Sequence, residues 1–245
     1  MIAEGRAVGF NATVTTLVLV RHGLTELTGP VLAGWTPGVS LDERGRAQAR
    51  AVGERLAPLP LAAVVSSPLE RCLQTAEAIA AAPGRAGGPL PVLREERFGE
   101  VRYGQWTGRP LQELAQEPLW RVVQAHPSAA VFPGGEALAA AQHRAVSAVR
   151  EWNARIAEQA GAHAAYLVCS HGDIIKAIVA DALGLHLDHF QRIQIDPASV
   201  TVIRYTELRP FLVRLNDTGT GAEGLLPPEG DKAGGESDAP VGGGA

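Results

Sequence analysis

Two short apolar runs in this sequence end in the same dipeptide. Leu17–Gly23 reads Leu-Val-Leu-Val-Arg-His-Gly, and Tyr166–Gly172 reads Tyr-Leu-Val-Cys-Ser-His-Gly. A neutral imidazole is a good nucleophile and a natural proton shuttle. A guanidinium offers a planar fork that matches phosphate geometry. Arg21 beside His22 therefore suggests attack on a phosphorus atom already held by an arginine. His171 adds a second imidazole. Arg71, in Ser66-Ser67-Pro68-Leu69-Glu70-Arg71, adds a second guanidinium on the first turn of a helix, where free N–H groups also attract phosphate. Glu100 lies in a polar, aromatic, glycine-punctuated stretch, Arg94–Gly108, and a carboxyl there can protonate a leaving oxygen and later activate water. Each feature has a plainer reading: Arg71 as a solvated helix arginine, or His171 as a helix cap with Asp173 favoured by the helix dipole.

These residues need elements to bring them together. Thr16–Val20, Leu61–Val65 and Ala165–Cys169 are too short and too continuously apolar for helices, and read as buried strands. Such strands belong to parallel sheets covered on both faces. In those sheets ligands sit beyond the carboxyl ends of the strands, which is where Arg21, His22 and His171 would stand, with Gly23 allowing a sharp turn. Helices are expected at about Glu43–Leu56, Leu69–Ala82, Glu136–Ala160 and Asp173–Leu183. Asp42 caps the first, whose apolar face would be Ala47, Ala51, Val52 and Leu56. Leu111–Ala125 reads as one or two short helices broken at Pro118. Pro91–Leu93 is a candidate short strand, and Ser199–Tyr205 with Pro210–Leu215 a pair of edge strands forming a hairpin. The order implies an α/β fold, a three-layer α/β/α sandwich with a mostly parallel sheet. Residues 1–14 are expected to be a disordered leader, 15–216 the domain, and the Gly-, Pro- and acid-rich 217–245 a disordered tail.

The ordered set of motifs resembles the histidine phosphatase superfamily, the phosphoglycerate-mutase-like fold. The matching pieces are Arg21-His22-Gly23 with Thr25, Leu41-Asp42-Glu43-Arg44-Gly45, Ser66–Ala76, Glu100-Val101-Arg102-Tyr103-Gly104 with Gly108, Gly134-Gly135-Glu136, and Ser170-His171-Gly172. The resemblance implies that His22 becomes a phosphohistidine and that Arg21, Arg71 and His171 (an imidazolium) hold the phosphoryl oxygens. It implies that Glu100 is the proton donor and that no metal or other cofactor is required. Thr25 and Thr28 would contact phosphate; Thr28 stands where many members carry Asn. Glu96 echoes the acid motif and is the runner-up to Glu100, which alone keeps the spacing to Tyr103, Gly104 and Gly108.

Composition closes other options. Lys plus Arg number 22 against 26 Asp plus Glu, a net charge of −4, so the basic surplus of a nucleic-acid binder is missing. No apolar run approaches the ~20 residues of a membrane span. Two cysteines form no disulfide framework and fit a reducing, cytoplasmic setting; Cys72 and Cys169 read as small core residues. His126, His143, His163, His186 and His189 lack metal-ligand spacing. Trp106, Trp120 and Phe132 either line a pocket or pack. Arg102 and Arg109 either steer an anion or lie on a solvated face. Glu136 either favours a helix dipole or lies near the pocket. The expected function is a metal-independent phosphomonoesterase acting on a small phosphorylated metabolite. Only the short Leu111–Ala125 stretch is available to cover the pocket, whereas a mutase of this family carries a long insertion there. A phosphomutase is the second reading, a non-catalytic phosphate-binding protein the third. A homodimer stays open.

Overall fold

The computed structural model describes residues 14–161 and 163–219. Its elements are β1 (Thr15–Arg21), α1 (Glu43–Leu56), β2 (Leu61–Ser66), α2 (Glu70–Ala80), β3 (Val92–Arg94), α3 (Leu111–Leu114), α4 (Pro118–Ala125), α5 (Leu138–Ala160), β4 (Ala165–Ser170), α6 (Gly172–Ala182), β5 (Val200–Tyr205) and β6 (Pro210–Asp217). The six strands form one sheet in the order β3-β2-β4-β1-β5-β6. β1 is parallel to β4 and antiparallel to β5, so Val18 lies between Leu167 and Val202.

Strand alternation divides the core. Leu17 and Leu19 of β1, Val65 of β2, and Tyr166 and Val168 of β4 pack with Val149, Trp152 and Ile178 of α5 and α6. Val18, Val20, Val64, Leu167 and Cys169 face the other way, onto Val52 of α1 and Cys72, Ala76 and Ile79 of α2. A sheet buried on both faces has no polar face to show, which is why its strands read as continuous apolar runs.

Asp42 caps α1 as expected, its Oδ1 accepting from the Gly45 N–H at 2.7 Å. The packed face is the expected one only in part: Val52 is buried and Leu56 packs against the core. Ala47 and Ala51 are exposed, and α1 seats on Gly45, Ala49, Val52 and Gly53. The glycines set that phase by allowing backbone to touch backbone: a Cβ on Gly45 would lie 2.0 Å from the Leu24 carbonyl oxygen. Gly23 serves the same contact, since its Cβ would lie 2.6 Å from the Gly45 oxygen. Close approach, rather than a sharp turn, is what Gly23 provides.

α5 begins at Leu138, leaving Glu136 outside the helix. β5 is an interior strand of its hairpin, with β6 at the edge. β6 runs to Asp217, the first residue of the expected tail, and an ion pair from Arg55 holds that residue at 2.8 Å. The rest of the expected leader and tail, apart from Val14, Thr218 and Gly219, lies outside the described residues. Among the described residues no helix is long and apolar enough to cross a membrane.

Candidate active site

Three neighbouring parallel strands, β1, β4 and β2, end side by side. β1 delivers Arg21 and then His22, β4 delivers His171, and the turn after β2 starts α2, which carries Arg71. The His22 and His171 ring centroids stand 5.2 Å apart. Arg71 lies between them. Its Nε donates to His22 Nε2 at 3.2 Å, and its Nη2 contacts His171 Nδ1 at 3.2 Å and the Gly34 carbonyl at 2.8 Å.

The hydrogen bonds decide the tautomers. His22 Nδ1 lies 2.8 Å from the Gly23 carbonyl, which can only accept, so Nδ1 carries the proton. Nε2 then keeps its lone pair, facing Arg71. Burial, then the charges of Arg71 and Arg21, hold the His22 pKa well below its usual range, so the ring is neutral. His171 is pushed down by the same burial and the same arginines. Its Nδ1 faces the guanidinium, and its Nε2 lies 2.8 Å from Ser67 Oγ. His171 is therefore neutral too, and not the imidazolium expected from the sequence.

Arg21 is buried, and its Nη1 donates to the Ile195 carbonyl at 2.7 Å. Burial lowers its pKa to about 10, which leaves it cationic at neutral pH. Glu100 is buried, with Oε1 accepting from the Val101 N–H at 2.9 Å and Oε2 3.9 Å from His171 Nδ1. Burial, followed by the charge of Asp173, raises its pKa to about 8. Near neutrality it is a carboxylic acid with a proton to give. Glu96 is two-thirds exposed and paired with Arg102, away from this group. Thr25 and Thr28 line the same pocket. Their hydroxyls lie 3.0 Å apart, and the Thr25 N–H donates to Thr28 Oγ1 at 3.0 Å. One hydroxyl hydrogen is left over whichever way the pair is oriented.

Several residues hold the acid in place, and two of them, Arg144 and Trp35, were passed over by sequence reasoning. Arg144 of α5 donates to the carbonyls of Arg97, Gly99 and Glu100 at 2.6, 2.9 and 2.9 Å. Its guanidinium is fixed by Glu136 at 2.7 Å. Glu136 is thus the anchor of a clasp, and it also accepts from the Arg102 N–H. Trp35 donates from Nε1 to the Glu100 carbonyl at 2.6 Å. Tyr103 donates to Asp173 Oδ2 at 2.8 Å, tying the acid loop to the first turn of α6. Ser170 Oγ donates to the Phe98 carbonyl from the end of β4. Tyr103, Glu136 and Ser170 stood in motifs the sequence displayed, whereas no sequence signal marked Arg144 or Trp35.

The undecided residues also find their places. Trp106, Trp120 and Phe132 pack in the core on the α5–α6 side. Arg102 lies over the Trp35 ring at 4.1 Å, and Arg109 pairs with Glu117 at 2.9 Å. Cys72 and Cys169 are buried core residues, and Cys72 Sγ sits 3.4 Å from His171 Nε2, closer to the site than its sequence context suggested.

A family model for the histidine phosphatase superfamily (branch 1) matches residues 17–218. The chain belongs to that superfamily. It is 33% identical to phosphoserine phosphatase 1 of Hydrogenobacter thermophilus over 213 residues, 82% of this chain and 92% of that protein. It is 32% identical to 2,3-bisphosphoglycerate-dependent phosphoglycerate mutase 2 of Gloeobacter violaceus over 220 residues, 86% and 90% of the two chains. The crystallised mycobacterial glucosyl-3-phosphoglycerate phosphatase Rv2419c matches with a TM-score of 0.72 at 25% identity, over 83% of this chain and 99% of that one. Phosphatases and a mutase thus share this superfamily fold, and a phosphoryl-transfer role fits the chain.

Proposed function

We propose that this histidine phosphatase superfamily member is a metal-independent phosphomonoesterase that works through a phosphohistidine on His22. The observation that carries the reading is the fixed tautomer of His22. Its proton is committed to the Gly23 carbonyl, and its lone pair faces a cleft lined by Arg21, Arg71 and Glu100.

The residues then divide the chemistry. Nε2 of His22 attacks phosphorus in line with the ester oxygen. Arg21, Arg71 and His171 hold the non-bridging oxygens and offset the charge that gathers on them. His171 takes up a second proton when a phosphate dianion offsets the arginines. The leftover hydroxyl of the Thr25–Thr28 pair donates to the same group. As the P–O bond breaks, Glu100 passes its proton to the leaving alkoxide. The carboxylate so formed takes a proton from water, which attacks the phosphohistidine, releases inorganic phosphate and restores both residues. The two arginines, joined by the His171 cation, supply the charge that a metal ion gives to other phosphatases.

The substrate class is a small phosphorylated metabolite. A phosphomutase is the second reading, and the mutase among the relatives supports it. Hydrolysis is favoured by the light cover over the cleft, to which Leu111 alone of the α3–α4 stretch contributes. The test is phosphate release from an aryl phosphate in EDTA. Release by the wild type and none by His22→Ala is expected. Interconversion of phosphoglycerates, primed by bisphosphoglycerate and well above the rate of hydrolysis, would move the assignment to mutase.

A further inference from the structure

Beyond its phosphoryl end the pocket changes character. His22, Arg21, Arg71 and Glu100, with Thr25 and Thr28, line one part of it, and Leu27, Val31, Leu32, Ala33 and Leu111 line the rest together with Gly29 and Gly34. Among the described residues lining the cleft, Arg21 and Arg71 are the only arginines, and no lysine is present. Both are engaged at the phosphoryl end.

The other cations near the acid loop are engaged elsewhere. Arg102 pairs with Glu96 over the Trp35 ring, Arg109 pairs with Glu117, and Arg144 is held by Glu136 and three carbonyls. None of the three lines the cleft. Leu27 also lines a second depression beside the cleft, which carries Glu26, Asp42 and Glu43 against Arg46.

A second negative group on a substrate, such as the carboxylate of a phosphoglycerate, would therefore lose water among aliphatic side chains and gain no counter-ion. An unpaired buried charge is the most costly group to desolvate. An aryl or alkyl group would instead remove apolar surface from water on both sides.

We propose that the pocket selects phosphomonoesters whose leaving alcohol is neutral and apolar, an aryl or alkyl alcohol, over esters whose leaving group carries a second anion. The proposal rests on the phosphatase reading only in placing a phosphoryl group against His22 and Arg71. It separates this chain from the substrates named for its phosphoserine and phosphoglycerate relatives.

Binding tests it independently of turnover. Affinities of full-length His22→Ala, and separately of full-length Glu100→Gln, are measured by calorimetry for phenyl phosphate, 3-phosphoglycerate and phosphoserine. Phenyl phosphate should bind at least tenfold more tightly than either carboxylated ester. Equal or tighter binding of 3-phosphoglycerate or phosphoserine overturns the proposal. Leu27→Arg on the same backgrounds places a cation in the wall and should bring the ratio to within about threefold, and an unchanged ratio also overturns it. Turnover of the same three esters by the wild type tests the hydrolase reading separately. No release from any of them removes that reading while the binding ratio still decides this one. Failure of all three esters to bind either variant overturns this proposal, and wild-type turnover alone decides the hydrolase reading.

Discussion

Arg71 Nε points at His22 Nε2 across 3.2 Å, so a guanidinium faces the lone pair proposed to attack phosphorus. The same group reaches His171 Nδ1 and the Gly34 carbonyl. After burial, the charge of Arg71 is the next largest cause that lowers the pKa of both imidazoles. In the proposed reaction the Arg71 guanidinium is drawn onto the oxygens of a phosphate. Its planar, many-pronged donor set is what a lysine lacks. Arg71→Lys should lower kcat/KM for an aryl phosphate by about 10²- to 10³-fold, as loss of a transition-state donor does elsewhere. Arg71→Ala should also raise the His22 pKa, and imidazole titration by NMR would show it. An unmoved His22 titration would rule out this role.

Glu100 sets the alkaline limb. With a pKa of about 8 it donates below that pH and fails above it, so kcat/KM should fall as pH rises through 8. Glu100→Gln should remove the limb along with most of the activity. Asp173 is the largest charge contribution to the shift, so Asp173→Asn should move the limb to lower pH, whereas Tyr103→Phe should leave it in place.

The same carboxyl links pH to stability. Its folded pKa lies above the ordinary 4.5, so between about 4.5 and 8 the folded chain binds more proton than the unfolded chain. Stability from this group is therefore present at low pH and lost as pH rises through that window. At one pKa unit per ~1.4 kcal/mol, the penalty above pH 8 is on the order of a few kcal/mol. Glu100→Gln should melt at a higher temperature than the wild type at pH 9, with the gap closing at pH 4. A gap independent of pH would refute the assignment.

Arg144 acts on the reaction at a distance, by bonding three consecutive-loop carbonyls at 2.6–2.9 Å, one of them that of Glu100. Arg144→Met should reduce kcat by roughly a hundredfold, the scale of a 1 Å misplacement, with KM changed far less. It should also shift the alkaline limb, because a displaced Glu100 changes its burial and its distance from Asp173. A loss of thermal stability with an unaltered pH profile would make Arg144 structural only.

Gly45→Ala would drive a methyl group to 2.0 Å from the Leu24 carbonyl, and neither backbone can yield without moving the turn that follows His22. The expected cost is about 3 kcal/mol, the upper end for overpacking. Chemical denaturation measures it. Ala47→Gly, on the exposed side of the same helix, should cost about 1 kcal/mol or less, the propensity difference alone.

Much of this was legible in the chain. The ends of α1 follow from Asp42 and the proline after it, and the strands from apolar runs bounded by polar residues. Arg21, His22, Arg71 and His171, which the structure gathers beside Glu100, were legible because a strand end and a helix start are local signals, and Glu100 was legible from its spacing to Tyr103, Gly104 and Gly108. What escaped is non-local. On α1, Val52 and Leu56 were placed correctly, but Ala47 and Ala51 were misjudged because an apolar period counts alanines and passes over glycines, while contact with Leu24 needs the residue with no side chain. The Glu136–Arg144 clasp joins two residues eight apart to carbonyls some 45 positions upstream, and nothing in the type of Arg144 announces carbonyls as its partners. The neutrality of His171 depends on burial beside Arg71, a quantity no spacing carries.

Strand order also governs when the site can exist. β1 is among the first elements made, yet both its neighbours in the sheet come from the last third of the chain: Val18 pairs with Leu167 and with Val202. A growing chain that has produced His22, Arg71 and Glu100 still lacks both walls of the strand that presents the nucleophile. Contacts this distant in sequence close late and slowly. The candidate site therefore cannot assemble before β4 and β5 have been made, and a chain stopped ahead of β4 would expose both edges of β1 to other chains.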